Sequence, residues 1–391
     1  MQLFDVVVVG AGLAGRLFAI GLAKRGITVA SIDHEDSSHI LNATRDGRTT
    51  AITLGSKRLF ENLNLWDAIA PHAQRIQQIR VFENGSPWTL DYDAKDVSED
   101  PMGYIAENFF IRSSLYQHTP DNITVFSPST IKTCERTDAH ATVTLTTGEI
   151  LRAPLLVAAD GRYSKLRSQT NIRLTANDYD QNALVTHIIH EKPHNDTAYE
   201  IFTKEGPLAV LPLLDDPETG QHKSGIVWCK PRNFNWASLD DQALKNMFQK
   251  TFPYHGEVVF SSKRWTYPLG YTKVSSMIDT RIALLGDAGH VVHPIAGQGV
   301  NLGWRDAAIL IDELAAAKAQ GLDLGSPYLL QRYDQLRKFD RLSVLWATDG
   351  ISCLYQSQFP PLKFARNAAF AILNRVMPFK RVVMRHAMGI I

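Results

Sequence analysis

A strand, a glycine-rich turn and a helix open the chain and constrain its fold more than any other feature. Residues 5–9 end in four consecutive valines, which is typical of a parallel strand buried on both faces. The turn Gly10–Gly15 follows at once, and apolar residues then recur at helical spacing up to Gly26. A second apolar run, residues 28–32, ends at Asp33. The pattern predicts a βαβ unit.

The turn has the spacing of a dinucleotide-binding fingerprint, with Asp33 at the end of the next strand. Gly10 permits the tight turn, Gly12 lets the backbone approach a diphosphate, and Gly15 lets the helix pack on the strand. Unpaired helix amides would face the diphosphate. Asp33 would accept hydrogen bonds from an adenosine ribose and repel a 2′-phosphate, which favours FAD or NAD over NADP. The residues predicted to bind here are Gly10, Gly12, Leu13, Ala14, Gly15 and Asp33.

A second glycine-rich stretch, GDAGHVVHPIAGQGVNLGWRDA at residues 286–307, follows the apolar run 282–285. Asp287, at the end of that strand, is placed to accept hydrogen bonds from the ribityl hydroxyls of a flavin. The helix beginning near Val300 would offer amides to the pyrimidine edge of the ring and favour the negative charge of a reduced flavin. The stretch therefore favours non-covalently bound FAD over NAD. The residues predicted to bind here are Gly286, Asp287, Gly297, Gly299, Val300 and Asn301.

Composition excludes several other classes of protein. The formal net charge of +1 gives no reason to expect nucleic acid as a partner. Three widely spaced cysteines without a CxxC pair indicate a reducing compartment and no disulfide framework. His290 and His293 have no third ligand at a usual spacing, so no metal is expected. The N-terminus lacks the features of a signal peptide and no 18-residue apolar stretch occurs, so we expect a cytoplasmic protein.

The length of 391 residues predicts two domains. Between residues 180 and 275, short apolar runs alternate with turn residues, which is typical of an antiparallel sheet. The predicted fold is α/β, a Rossmann-like FAD-binding domain with an inserted antiparallel β-sheet substrate domain and a C-terminal helical segment. Ser326 and Pro327 predict a helix start. The predicted boundaries are 1–75, 100–179 and 276–330 for the FAD-binding domain, 76–99 and 180–275 for the substrate domain, and 331–391 for the C-terminal helical region.

The stretch at 286–307 resembles the second FAD motif of the single-component flavoprotein aromatic hydroxylases, which have the para-hydroxybenzoate hydroxylase fold. LLVAADGRYSKLR at 155–167 resembles their Asp-Gly motif. Three further stretches, 46–66, 206–213 and 347–355, resemble the ubiquinone-biosynthesis hydroxylases, and the motifs follow the family's order from end to end. The resemblance implies that Asp160, Gly161 and Arg167 serve FAD and pyridine nucleotide, that Arg48 lies in a loop facing the flavin, and that Arg112 contacts the cofactor.

The same resemblance implies the reaction. NADPH or NADH would reduce FAD, O2 would add to the reduced flavin as a C4a-hydroperoxide, and one oxygen atom would pass to the ring of a polyprenylated phenol or quinone precursor. No acid–base residue stands out, and the catalytic candidates are His293, Pro294 and Gly297 in the flavin-facing loop. The alternatives are a hydroxylase of a small soluble aromatic, a flavoprotein isoprenoid reductase that consumes no O2, and an FAD-binding scaffold without activity.

The tail, residues 361–391, carries six basic residues and no acidic one, with apolar residues between them. Such a segment could lie on anionic lipid at the inner face of the membrane. It could instead cover the FAD-binding domain with a solvated basic face, or dock onto other ubiquinone-biosynthesis enzymes. The three readings remain open at the level of sequence.

Overall fold

A computed structural model describes residues 1–36, 46–293, 295–356, 374 and 376–390. Its strands form four sheets that are linked by eight described α-helices. The helices are α1 (Leu13–Ala23), α2 (Leu54–Asn62), α3 (Trp66–Ile69), α4 (Asn108–Gln117), α5 (Asp241–Thr251), α6 (Gln298–Ala319), α7 (Pro327–Gln356) and α8 (Met377–Ala387). None of the described helices has the length and apolar character needed to cross a membrane.

A six-stranded sheet forms the core of the nucleotide-binding fold. Its strands, in spatial order, are β20 (Ile278–Asp279), β21 (Ile282–Leu284), β13 (Leu155–Ala158), β2 (Val6–Val9), β3 (Val29–Ile32) and β9 (Ile123–Phe126). Every pairing is parallel except that of β20 with β21. All four valines of β2 are buried, because strands flank it on both sides and helices cover the sheet. The predicted βαβ unit and the α/β fold class are confirmed.

Two smaller sheets complete this half of the molecule. One contains β1 (Gln2–Leu3), β12 (Ile150–Ala153), β11 (Ala141–Leu145) and β10 (Ile131–Arg136) in that order. The other contains β4 (Thr49–Thr53), β8 (Gly103–Glu107) and β5 (Ala73–Ile76). The second of these lies beside the start of α6 and therefore borders the candidate site.

A large, mostly antiparallel sheet forms the other half. Its order is β22 (His290–Val291), β19 (Trp265–Val274), β14 (Leu174–His190), β17 (His222–Pro231), β16 (Pro207–Leu213), β15 (Thr197–Phe202), β6 (Gln78–Glu83) and β7 (Thr89–Asp93), with β18 (Val258–Phe260) paired to β14. One face packs against α5, where Trp228 and Phe248 belong to a buried apolar cluster. The opposite face meets residues 47–51, since the Gly225 backbone approaches the Thr49 side chain and Ala51 packs beside Leu211.

Local signals explain most helix boundaries. A helix begins at Pro327, as the Ser326–Pro327 pair predicts. Helix α5, inside the region predicted to contain only strands, was missed. Asp240 caps it by accepting a hydrogen bond from the Ala243 amide at 2.7 Å, and the buried Leu244 and Phe248 lie four residues apart on one face.

Candidate cofactor and active site

The three fingerprint glycines each have a separate structural reason. Gly10 has a φ of +98°, and a Cβ there would overlap the Ala159 carbonyl. A Cβ on Gly15 would overlap the Gly10 carbonyl, so the third glycine sets the packing of helix on turn. Among the described residues, nothing beyond its chain neighbours lies within 4 Å of a Cβ built on Gly12. Gly12 is also the N-cap of α1 and provides no side-chain cap, so open space and free amides coincide where a diphosphate would bind. The turn therefore fits the diphosphate of FAD.

Asp33 lies directly after β3 and is buried. One carboxylate oxygen accepts the Ala11 amide at 2.5 Å, and the other accepts the Glu35 amide at 2.9 Å. Asp33 thus ties the fingerprint turn to the end of the next strand, and its contact with a ribose stays a prediction. The partly exposed Glu35 side chain pairs with Arg112 of α4. This ion pair places Arg112 close to Asp33 at the end of β3. No motif in the sequence points to Glu35.

Arg16 is a second residue near the fingerprint turn that no motif in the sequence indicated. Its side chain is buried beside the fingerprint turn, and its guanidinium lies 3.9 Å from the ring centroid of Tyr116. Within the described residues, Nε and Nη1 of Arg16 have no hydrogen-bond partner. A buried cation of this kind adds positive potential close to the diphosphate position.

The segment 160–167 reaches the site from the end of β13. One Asp160 oxygen accepts the amides of Lys165 and Leu166 at 2.8 and 3.2 Å, and Gly161 has a φ of +80°. Arg167 donates to the Ala288 carbonyl at 2.7 Å. The structure therefore brings the Asp-Gly motif against residues 286–288, while the Asp160 and Arg167 side chains mainly hold the loop. Their contact with FAD or pyridine nucleotide stays a prediction.

Asp287 offers its carboxylate to the open cleft. The residue is exposed, and none of the hydrogen bonds recorded between described residues uses its carboxylate. Desolvation by the surrounding protein raises the pKa of Asp287, and the positive charges of His290, Arg48 and Arg162 oppose that rise. A carboxylate without a protein donor is what a ribityl hydroxyl requires. Gly286 beside it has a φ of +58°, and a Cβ there would lie 3.4 Å from Cβ of Ala14 on α1.

Arg48 stands across the cleft on a loop that rests on the large sheet. Its guanidinium pairs with Asp46 and lies 5.7 Å from the Tyr267 ring centroid. The Gly47 carbonyl lies 3.0 Å from Nε2 of His187, and a Cβ on Gly47 would overlap the Trp265 ring. The loop is therefore fixed against the large sheet, and contact of Arg48 with the flavin stays a prediction.

The start of α6 is shaped by Gly297 and Asn301. Gly297 is the N-cap in the left-handed region, with a φ of +59° and no side-chain cap. The buried Asn301 amide donates to the carbonyls of Ala51 and Gly297, and its oxygen accepts the Thr53 amide at 3.0 Å. The Asn301 side chain thus holds the turn, and contact of Gly297, Gly299, Val300 and Asn301 with the flavin stays a prediction.

A fully buried charge network lies behind the 286–301 stretch. Asp306 accepts hydrogen bonds from Nε2 of His290 and from Nε of Arg337, each at 2.6 Å, and from the Gly286 amide at 3.1 Å. Burial alone would raise the pKa of Asp306, but His290 and Arg337 lower it to about 2. Arg337 also pairs with Asp340 at 2.7 Å. Asp306 and Arg337 were both missed from sequence, although they hold the turn that carries Asp287.

The catalytic candidates of the flavin-facing loop can be described in part. His293 is buried, and burial lowers its pKa to about 4. Its ring meets the Tyr179 ring edge-on at 4.8 Å, while the Tyr179 hydroxyl donates to Asp349 at 3.0 Å. Tyr179 lies in a bulge of β14 next to Asp180, whose φ is +53°, and bulges often re-aim side chains at functional sites. Pro294 lies outside the described residues.

Comparison with known proteins agrees with this geometry. Residues 4–341 match the FAD binding domain family. Among solved structures, p-nitrophenol 4-monooxygenase PnpA from Pseudomonas putida superposes with a TM-score of 0.82 at 19% identity and covers 99% of both chains. HpxO from Klebsiella pneumoniae, solved in complex with FAD, gives 0.74 at 16% identity and covers 98% of this chain and 99% of its own. These likenesses establish the fold of the FAD-dependent monooxygenases.

Curated relatives narrow the class. Ubiquinone hydroxylase UbiL of Rhodospirillum rubrum is 36% identical over 390 residues, covering 98% of this chain and 89% of that protein. The 3-demethoxyubiquinol 3-hydroxylase of Escherichia coli is 30% identical over 398 residues, covering 99% and 98%. The chain belongs to the FAD-dependent hydroxylase family of ubiquinone biosynthesis, as its motifs indicated, and FAD is its cofactor.

Proposed function

We propose that this protein is an FAD-dependent monooxygenase that hydroxylates the aromatic ring of a ubiquinone precursor, with NAD(P)H as electron donor and O2 as oxygen source. The observation that carries the proposal is the match along nearly the whole chain to relatives named as ubiquinone hydroxylases. The open Gly12 turn and the free Asp287 carboxylate support it, because they suit the two ends of FAD. We also propose that the precursor carries its polyprenyl chain when it is hydroxylated.

FAD, when bound, supplies electron transfer from NAD(P)H and the activation of O2. The chain's part is to bind and orient. The amides behind Gly12 hold the diphosphate, Asp287 accepts ribityl hydroxyls, and the first-turn amides of α6 stabilise negative charge on the flavin. The apolar face of the large sheet excludes water from the aromatic ring. The division into an FAD-binding domain and a substrate domain, at the boundaries given from sequence, belongs to the same proposal.

The outer face of α8 suits contact with an anionic membrane. Its inner face is docked, since Met384 and Met388 are buried and Lys380 pairs with Asp96 at 2.9 Å. The outer face combines exposed apolar and basic side chains, namely Val376, Phe379, Arg381, Val382, Val383 and Arg385. We propose that this face holds the enzyme at the inner surface of the membrane, where a prenylated substrate dissolves. Most of the basic tail predicted from sequence lies outside the described residues.

The origin of the new oxygen atom tests the reaction. The enzyme is incubated with NAD(P)H, a short-chain prenylated phenol and ¹⁸O-labelled O2, and the product is analysed by mass spectrometry. One labelled atom on the ring is expected, and unlabelled hydroxyl from water contradicts the proposal. Saturation of the prenyl chain without ring oxygen supports the isoprenoid reductase. Equal turnover of phenols with and without the chain supports the hydroxylase of small soluble aromatics.

Point variants test the membrane face better than truncation, because the Gly55 amide donates to the Met388 carbonyl at 2.9 Å and removal of α8 would disturb that packing. A variant with Phe379→Ser, Val382→Ser, Arg381→Gln and Arg385→Gln should sediment less with vesicles containing phosphatidylglycerol, while FAD content is unchanged. A control with Lys132→Gln and Lys250→Gln removes two exposed charges elsewhere. Equal sedimentation of both proteins contradicts the lipid contact and leaves a solvated cover or a docked enzyme.

A further inference from the structure

Glu200 lies on the face of the large sheet that looks toward the cofactor half of the molecule. On β15, Ile201 packs in the cluster against α5, whereas Ala198 packs with Ala51 and Ile105 on the opposite face. Side chains alternate along a strand, so Glu200 shares the face of Ala198. It sits two residues beyond the point where the small sheet containing Ala51 packs on the large one.

The register shows what surrounds Glu200. The row across the sheet through this position is Val81, Glu200, Ala209, Val227, Val185 and Trp265. Cys229, two residues along β17 from Val227, interacts electrostatically with Glu200. Glu200 is therefore the one ionisable group of its row, and apolar side chains occupy the other positions.

The wall that contains Glu200 continues to the flavin-facing loop. Cys229 belongs to a buried apolar cluster with Ala183 and Leu269, against which Tyr179 packs. The Tyr179 ring contacts His293 of the flavin-facing loop. Ala51, which packs beside Ala198, lies next to Gly297, where a Cβ would approach it to 3.0 Å. Two separate paths of contact thus join Glu200 to the loop over the flavin.

No hydrogen bond or ion pair to the Glu200 side chain is recorded within the described part of the chain, although protein surrounds it. The side chain keeps some accessible surface, so a small molecule on this face of the sheet could reach it. Burial raises the pKa of Glu200 to about 8, and burial likewise raises the pKa of the neighbouring Cys229 thiol. At neutral pH the carboxyl group is mostly protonated and can both donate and accept a hydrogen bond.

A carboxyl group that stands among apolar side chains without a protein partner has hydrogen-bonding capacity that solvent or a ligand can use. A ligand with a polar substituent on this face of the sheet would use it. We propose that Glu200 is a substrate-contacting residue whose carboxyl group hydrogen-bonds an oxygen substituent of the aromatic ring. This inference rests on the proposed function and adds a residue that selects aromatic rings with an oxygen substituent.

The test compares two ligands and three variants of the FAD-loaded enzyme. The ligands are a short-chain prenylated phenol and its counterpart without the ring hydroxyl, and binding is followed by the flavin absorbance change. The variants are Glu200→Leu, Glu200→Gln and, as a matched control, Glu218→Gln in the exposed turn between β16 and β17. FAD content and thermal stability are measured alongside.

Wild type and Glu218→Gln should bind the phenol more tightly than the deoxy ligand, by roughly tenfold to a hundredfold. Glu200→Leu should lose that preference through weaker binding of the phenol alone, and Glu200→Gln should keep part of it. Wild-type preference in Glu200→Leu, or equal loss for both ligands, overturns the proposal. If Glu200→Leu does not fold, the pH profile decides: the preference for the phenol over the deoxy ligand should change as the pH passes about 8 in wild type and stay level in Glu200→Gln, and matching profiles overturn it.

Failure of the proposed function gives a different result. If wild type forms no O2-derived hydroxyl on any aromatic ring, the monooxygenase assignment fails whatever the Glu200 variants do. If wild type hydroxylates the ring and all variants bind both ligands as wild type does, only the assignment of Glu200 fails.

Discussion

Two helices begin in glycine-rich turns at the cofactor site, and they are held in different ways. The turn before α1 is fixed by its own glycines and by Asp33, a short distance along the chain. The glycine-rich stretch before α6 is fixed at its Gly297 end by Asn301 of the same helix, and at its Gly286 end from behind by Asp306 and by Arg337 of α7. Both turns leave backbone amides free for an anion. The comparison teaches that the adenosine end of the site is built locally, whereas the flavin end depends on a remote, fully buried ion pair.

The largest effect should follow removal of that ion pair. Asp306→Ala removes the carboxylate shared by Arg337, His290 and the Gly286 amide and leaves Arg337 paired with Asp340 alone. This should lower the free energy of unfolding by about 3 kcal/mol, the lower end of the loss typical of a broken buried ion pair. Urea denaturation followed by circular dichroism measures the change. Asp312→Ala on the same helix is the control, because Asp312 is exposed and forms a 3.3 Å surface pair with Arg25, which typically contributes at most about 1 kcal/mol. Equal stability of the two variants would show that the flavin end needs no remote support.

A pair of glycine variants should separate folding from binding at the adenosine end. Gly15→Ala places a Cβ against the Gly10 carbonyl, and overpacking of this kind typically destabilises by about 1–3 kcal/mol. The new Cβ of Gly12→Ala meets nothing within 4 Å in the part of the chain that the structure describes, so the apoprotein should unfold at the wild-type temperature while FAD affinity falls. Thermal unfolding of apoprotein and FAD titration give the two quantities. A stability loss in Gly12→Ala as large as that in Gly15→Ala contradicts the open cradle.

Asp287→Ala tests the flavin end without touching its support. Loss of hydrogen bonds to a carboxylate should weaken FAD binding by roughly tenfold to a hundredfold. The folded protein raises the pKa of Asp287, so any stability from this group is present at acid pH and lost as the pH rises through the folded pKa. The apoprotein at pH 7 should therefore not be destabilised. Exposed Asp121→Ala is the control, and wild-type FAD affinity in Asp287→Ala excludes the ribityl contact.

The last prediction concerns Glu200 on the large sheet. Because the pKa of Glu200 is raised from 4.5 to about 8, its ionisation opposes folding increasingly as the pH rises from about 4.5 to 8. Glu200→Gln should therefore raise the unfolding temperature at pH 8 relative to wild type and change it less at pH 5. Differential scanning fluorimetry at the two pH values measures this. A gain that is the same at both would mean that Glu200 titrates normally.

The fold and the adenosine end could be predicted because their signals are local. The spacing of Gly10, Gly12 and Gly15 is typical of one turn geometry, the tight turn between a strand and a nucleotide-binding helix. The valine run of β2 likewise indicates a strand buried on both faces. Helix α5 was missed because its apolar residues lie within a region rich in short strands. Its cap, Asp240, was the signal that could have revealed it.

The supports of the flavin end could not be predicted in the same way. Asp306 appeared in the sequence as one more charge after a glycine-rich stretch, and its partner Arg337 lies on a different helix. Glu200 gives no signal either, because its neighbours Val81, Ala209 and Val227 come from three other strands. The surroundings of these residues depend on strand register and on pairing between distant parts of the chain. Neither can be inferred from the local pattern of a single sequence.

The order of the central sheet has a consequence for synthesis on the ribosome. Strand β2 (Val6–Val9) pairs on one side with β3 (Val29–Ile32), which follows soon after it, and on the other side with β13 (Leu155–Ala158), which in turn pairs with β21 (Ile282–Leu284). Arg337, which completes the turn behind Asp287, emerges later still. One edge of the apolar strand β2 therefore has no partner until residues 155–158 have been made, and β13 has an open edge until residues 282–284 follow. Such non-local pairing slows folding and exposes aggregation-prone surface. Chaperones that shield unpaired strands should raise the yield of this enzyme more than they raise its stability once folded.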